Sequence, residues 1–163
     1  MTFQVGDKVV YPSQGAGVVA EKTTREVLGE TREYLKINFV RGDMSVLVPL
    51  EKGRDVGLRH TIGADELEQL AETIRKADLS LPNQWPPRHR AEQEILAAND
   101  AYDLARLIGV LFQRDQERGL ADTERDIFEN ARSLLSSEWA VVADFSHAEA
   151  QEALGKVLEH HLA

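Results

Sequence analysis

The most distinctive chemistry in the sequence stands at Trp85-Pro86-Pro87-Arg88-His89-Arg90. A residue before proline is confined to extended or turn backbone, so the Trp85 indole is held in place. Three potential cations follow within five residues, at the expected start of a helix. An aromatic ring beside arginines at a helix entrance suits a nucleic-acid backbone with a contact at one base step. The same residue types suit, somewhat better, a core tryptophan pinning two modules, with Arg88 and Arg90 solvated. Trp139 reads differently. Leu135, Val142 and Ala143 lie at helical spacing around it, which predicts a core position.

Catalytic chemistry finds no set of residues. The five histidines (His60, His89, His147, His160, His161) have no metal-ligand spacing, and no His-Glu-x-x-His motif occurs. There is no Gly-x-Ser-x-Gly elbow and no phosphate loop ending in Gly-Lys-Ser/Thr. The chain has no cysteine, so disulfides, thiolate metal sites and thiol nucleophiles are excluded together. Gly15-Ala16-Gly17 begins like a dinucleotide fingerprint but lacks the third glycine and a following helix, and reads as a β-turn. The carboxylates scatter as on solvated helix faces. The expectation is a non-enzymatic protein without a cofactor.

A net charge of −9 argues against strong autonomous binding of nucleic acid, whose affinity comes mainly from phosphate neutralisation. The charge is uneven. Residues 1–60 carry 9 Lys/Arg against 8 Asp/Glu, and residues 61–163 carry 10 against 20. Cations of the acidic half must gather on one face to meet DNA, and a contact tethered through a protein partner remains open. No apolar run approaches the roughly 18–20 residues of a membrane span. Met1–Asp7 is polar and turn-like, without a secretory signal, and a cytoplasmic monomer is expected.

The elements that position these residues come in two blocks. Residues 1–60 read as β: Lys8–Tyr11, a strand resuming at Val18–Ala20, a hairpin tip at Gly29, alternation over Arg32–Phe39, a turn at Arg41-Gly42-Asp43, and Met44–Val48. Short strands with tight turns predict a small, bent SH3-like or Tudor-like sheet. Such sheets expose edges, and an open edge near Arg25 or at Met44–Val48 can pair with a partner strand; an edge protected by its own charges is the alternative. From Gly63 the period is helical, with helices expected over 64–76, 88–97, from Asn99 or Asp100 to Arg118, from Asp122 or Thr123 to about Val142, and from the Ser146–Glu149 capping box to the C-terminus. The fold class is α+β, with a β module at 1–60, about five helices at 61–163, and the joint near 51–63.

Val5-Gly6-Asp7-Lys8-Val9-Val10-Tyr11-Pro12, Gly15, Gly29-Glu30, Glu33-Tyr34-Leu35 and Val48-Pro49 closely resemble the polymerase-interacting domain of the CarD/CdnL transcription regulators. Trp85 with its basic followers, and Arg114-Asp115-Gln116-Glu117-Arg118-Gly119-Leu120, extend the resemblance to about residue 140. The resemblance implies that the β module docks on the RNA polymerase β-subunit lobe by sheet-edge pairing, through Arg25, Val27, Val46 and Leu47. It further implies that the helical module meets promoter DNA at the upstream edge of the transcription bubble. There Trp85 wedges into the minor groove, and Arg88, His89, Arg90 and Arg114 supply the basic surroundings. The implied outcome is a stabilised open complex without base-specific readout. Two positions depart from the family pattern. Leu47 stands where relatives often carry arginine, and Pro86-Pro87 displace polar or basic residues, leaving fewer phosphate contacts. Arg114 and Arg118 also suit structural salt links. A protein-only adaptor, using the sheet and the acidic helices as two docking surfaces, is the competing reading.

Overall fold

The computed structural model describes residues 2–161. Five antiparallel strands form one sheet: β1 (Lys8–Tyr11), β2 (Gly15–Val27), β3 (Glu30–Phe39), β4 (Met44–Pro49) and β5 (Arg59–His60), in the order β4-β3-β2-β1-β5. The alternation in β3 resolves as expected, with Leu35, Ile37 and Phe39 buried and Asn38 exposed. They pack with Phe3, Val9, Val19, Val48, Leu50 and Leu58 into the core of the β module. β2 is longer than its apolar stretch foretold, because its polar second half is carried by pairing with β3 from Glu21↔Lys36 to Val27↔Glu30. An irregularity between Val19 and Glu21 re-aims that half, as bulges do. The turn at its end places both Leu28 (φ 53°) and Gly29 (φ 79°) at positive φ, the backbone of a two-residue primed hairpin turn.

The expected joint is itself structured. Residues 50–60 form a short helix, α1 (Leu50–Asp55), and β5, because Leu50 and Leu58 are drawn into the sheet's core. After a 3₁₀ turn at Ala64–Glu66 come α2 (Leu67–Lys76), α3 (Trp85–Ala98), α4 (Ala101–Arg118), α5 (Asp122–Ala143) and α6 (His147–His161). The protein is α+β. Asp100 caps α4 by accepting from the Tyr102 and Asp103 amides, at 3.1 and 3.0 Å. Ser146 and Glu149 form the expected capping box of α6. The extension of α6 expected for residues 162–163 lies outside the described residues. Two starts differ from expectation. α5 is preceded by Ala121 without a side-chain cap, and Asp122 falls inside its first turn, where a carboxylate faces the positive end of the helix. α3 begins at Trp85, three residues early, because Pro86 and Pro87 occupy its first turn, where the missing N–H groups cost nothing.

The helical core runs along α5, where Ile127, Phe128, Ala131, Leu134, Leu135 and Trp139 are buried, with α3, α4 and α6 packed on that helix. Gly109 lets α4 lie close on the end of α2, since a Cβ there would clash with the Ile74 carbonyl oxygen. The two modules touch directly. Val10 and Ala16 of the sheet pack on Val141 of α5, and the Ala16 amide donates to Ser137 Oγ at 3.0 Å. Arg59 of β5 reaches Glu138 of α5, whose Oε2 also accepts the Ile62 amide at 2.9 Å. Asn99 donates to the Pro12 carbonyl at 3.0 Å. These contacts fix where α3 sits relative to the sheet.

Candidate functional site

Trp85 stands at the exposed first turn of α3, 36% accessible, among the most exposed large apolar side chains of the helical half. Its ring is held from two sides. The Arg88 guanidinium lies 5.0 Å from the ring centroid, and the His89 ring lies 5.0 Å away at 37°. Cation–π and ring contacts of this kind restrict the indole without covering it. The pinning role open to this residue in the sequence is therefore not one of burial.

Beneath the ring lies a cluster of charges that sequence reasoning missed. Arg88, with an 11% exposed side chain, donates through Nε to Glu124 Oε2 at 3.1 Å and through Nη1 to the Asn83 carbonyl at 2.9 Å. Arg114 donates through Nε to the other oxygen of Glu124 at 3.2 Å. Glu124 is 2% exposed, and Glu92, 3.5 Å from Arg88 Nε, is 0% exposed. Burial, then hydrogen bonding to Glu124 and the charge of Glu124, push the Glu92 carboxyl up to about 8, against the pull of Arg88 and Arg114. Burial beside the Glu124 carboxylate thus favours the protonated form of Glu92. Arg88 and Glu92 stand at i,i+4 on one helix, a spacing readable in sequence. Glu124, 36 residues from Arg88, leaves no such signal.

The five residues expected at DNA therefore divide in two. Trp85 and His89 share one face of α3, and Arg90 is exposed with no ion pair among the described residues. Arg88 and Arg114 turn inward to Glu124. The Arg114–Leu120 segment builds the corner between α4 and α5: Asp115 Oδ1 accepts from Arg125 Nη2 at 2.8 Å and from the Leu120 amide at 3.2 Å.

The residues expected at the polymerase also fall in two places. Val46 and Leu47 lie on β4, the edge strand, paired to β3 on one side only at Val46↔Ile37 and Leu47↔Lys36. Arg25 and Val27 lie on the end of the β2–β3 hairpin that runs past β4, opposite Arg32 and Glu30. Four β3 positions and two strand spacings separate Leu47 from Arg25, roughly 16 Å. Exposed apolar side chains mark both places: Met44 and Leu47 on the edge, Val27 and Leu28 at the tip. Leu28 is 99% exposed and at positive φ, unfavourable on both counts for an apolar residue with a Cβ. A leucine before Gly29 carried no sequence signal for this.

No group of three or more His, Cys, Asp or Glu suited to a metal ion occurs among the described residues, and none of their helices is long and apolar enough to cross a membrane.

The fold is a two-module one, a sheet with an open edge locked onto helices that display a clamped indole. The model of the CarD-like/TRCF RID domain matches residues 3–62, and that of the CarD C-terminal domain matches residues 69–155. The chain belongs to the CarD family of transcription regulators. It is 26% identical over 142 residues to a Bacillus subtilis (strain 168) protein named "Putative transcription factor YdeB", a match covering 86% of this chain and 92% of that protein.

Proposed function

We propose that this protein binds the RNA polymerase β-subunit lobe with its β module and stabilises the promoter open complex by setting Trp85 in the minor groove at the upstream edge of the bubble. The observation that carries the reading is the state of Trp85: exposed, yet held by Arg88 and His89 at the start of a helix. An indole fixed in this way enters a distorted base step with little further loss of side-chain freedom. Its partner contacts follow from charge. Arg90 and His89 lie beside the strand, while Arg88 and Arg114 act through Glu124 as positioning residues.

The β module supplies the tether. In this reading the outer edge of β4 adds a strand from the polymerase, with Val46 and Leu47 in the pairing, and Arg25 and Val27 of the hairpin make a second contact beside it. Tethering raises the effective concentration of DNA, so a chain of net charge −9 needs only a weak local contact. The wedge favours the unstacked fork over intact duplex, and that difference shifts the equilibrium towards the open complex. No base edge is read, so the effect extends over promoters of unrelated sequence. The protein works in the cytoplasm, on the nucleoid with its polymerase, as a monomer.

The test separates the two contacts. Trp85→Ala should keep full affinity for polymerase and lose its effect on open complexes. An effect retained in full would assign the stabilisation to protein docking alone and favour the adaptor reading.

A further inference from the structure

Between the two modules lies a cleft of about 420 Å³, walled by Tyr11 and Pro12 of the β module and by Gln93, Leu96 and Asn130 of α3 and α5. Arg41, from the turn before β4, enters it as the one charged lining residue, and none of the lining residues is acidic. Arg41 Nη2 donates to Asn130 Oδ1 at 3.2 Å, a neutral partner, and Arg41 forms no ion pair among the described residues. Partial burial draws its guanidinium below its ordinary value. A half-buried cation without a counter-charge is costly. It is unusual in a chain with 28 acidic residues to draw on.

The cleft continues the face that carries the tryptophan. Trp85, His89 and Gln93 stand at i, i+4 and i+8 of α3: the first two rings touch, and Gln93 Nε2 lies 3.1 Å from His89 Nε2. Eight helical residues span about 12 Å. This is the length of three to four nucleotide steps at roughly 3.4 Å each. A strand resting on Trp85 and following α3 therefore brings a phosphate to the cleft.

The geometry points to Arg41, with the side-chain amides of Gln93 and Asn130, as a phosphate subsite that takes one backbone phosphodiester of the DNA on which Trp85 rests. The inference rests on the proposed DNA contact of Trp85 and adds the β module to the DNA-binding surface. A guanidinium offers two parallel donors to a phosphate, and the two amides complete the shell. The missing counter-charge is then supplied by DNA.

The test is binding of the protein to complexes of its polymerase with an upstream-fork promoter fragment, as a function of salt. Arg41→Gln should weaken binding about threefold to tenfold and flatten the plot of log K against log salt by about 0.9, the share of one phosphate. Arg41→Lys, which keeps the charge, should retain most of the affinity. Asn130→Asp leaves Arg41 in place but gives it an internal carboxylate. It should weaken binding like Arg41→Gln while leaving the thermal midpoint unchanged or raised, an outcome that a purely structural Arg41 does not produce. A single neutral methylphosphonate three to four steps from the wedge should abolish the difference between wild type and Arg41→Gln, which separates a DNA phosphate from a free one. Wild-type affinity and slope in Arg41→Gln and Asn130→Asp, with Trp85→Ala impaired, would overturn the subsite and leave the wedge standing. An unimpaired Trp85→Ala would overturn the wedge itself.

Discussion

Arg59 of the sheet grips Glu138 of α5 with two parallel bonds, Nη2 to Oε1 at 2.8 Å and Nη1 to Oε2 at 2.9 Å. Arg59 Nη2 also donates to the Asn99 carbonyl at 2.7 Å, so the last strand, the α3–α4 corner and α5 meet at one guanidinium. Glu138 is 1% exposed, and with the Ile62 amide both its oxygens are satisfied. The pair ties the two modules together. In the proposed mode of action, where the sheet edge docks dictates where α3 presents its tryptophan.

Removing one member of that pair leaves a buried charge without its partner, which typically costs about 3–5 kcal/mol. Glu138→Gln should therefore lower the unfolding free energy by about 3 kcal/mol in urea titration. Affinity for polymerase should survive at temperatures where the variant remains folded, because the sheet edge is untouched.

Glu92 predicts a pH signature. Its carboxyl titrates at about 8 in the folded chain, against an ordinary 4.5. Between those values the folded state holds a proton that the unfolded state has released. By linkage its contribution to stability falls as pH rises from about 4.5 to about 8 and is level outside that window. Glu92→Gln carries no such proton. The stability of wild type minus that of Glu92→Gln should fall steadily across the window in parallel urea titrations. A level difference would show that Glu92 is ionised throughout.

Glu124 is predicted to govern the mobility of the tryptophan. Glu124→Gln withdraws the anion that orients Arg88 and Arg114, and Arg88 is one of the two groups against the Trp85 ring. The expected result is faster depolarisation of Trp85 fluorescence, read in a Trp139→Phe background, with a stability loss of about 3 kcal/mol. Unchanged depolarisation would leave His89 as the sufficient support.

What the sequence made legible, and what it did not, follows from the range of the forces involved. The period-2 pattern of Arg32–Phe39, the helical patterns and the local caps at Asp100 and Ser146 are short-range signals, and the elements formed there, the starts of α3 and α5 apart. The core position of Trp139 followed from spacing on its own helix. The elements α1 and β5 left no signal because Leu50 and Leu58 are isolated apolar residues, whose burial depends on a sheet assembled from distant segments. Arg88 reads as a surface cation for the same reason, and Arg114 as either a DNA contact or a salt link. The carboxylate that turns them inward, Glu124, meets Arg88 only after α3, α4 and α5 have packed. Resemblance had pointed to the tryptophan; residue types alone had left its role undecided.

The free edge of β4 carries the prediction for polymerase. Lysine on an edge strand discourages strand addition. Leu47→Lys should weaken binding to the isolated β lobe by about tenfold, measured by titration calorimetry, with no change in the unfolding midpoint. Leu28→Asp at the hairpin tip tests the second contact in the same assay and should cost less.

The most direct test of the central claim is the lifetime of promoter open complexes formed by the cognate polymerase, challenged with competitor DNA, with and without this protein. The account predicts that the wild-type protein prolongs the lifetime and that Trp85→Ala, bound to polymerase with unchanged affinity, does not. Equal prolongation by Trp85→Ala, or none by the wild type, would contradict it.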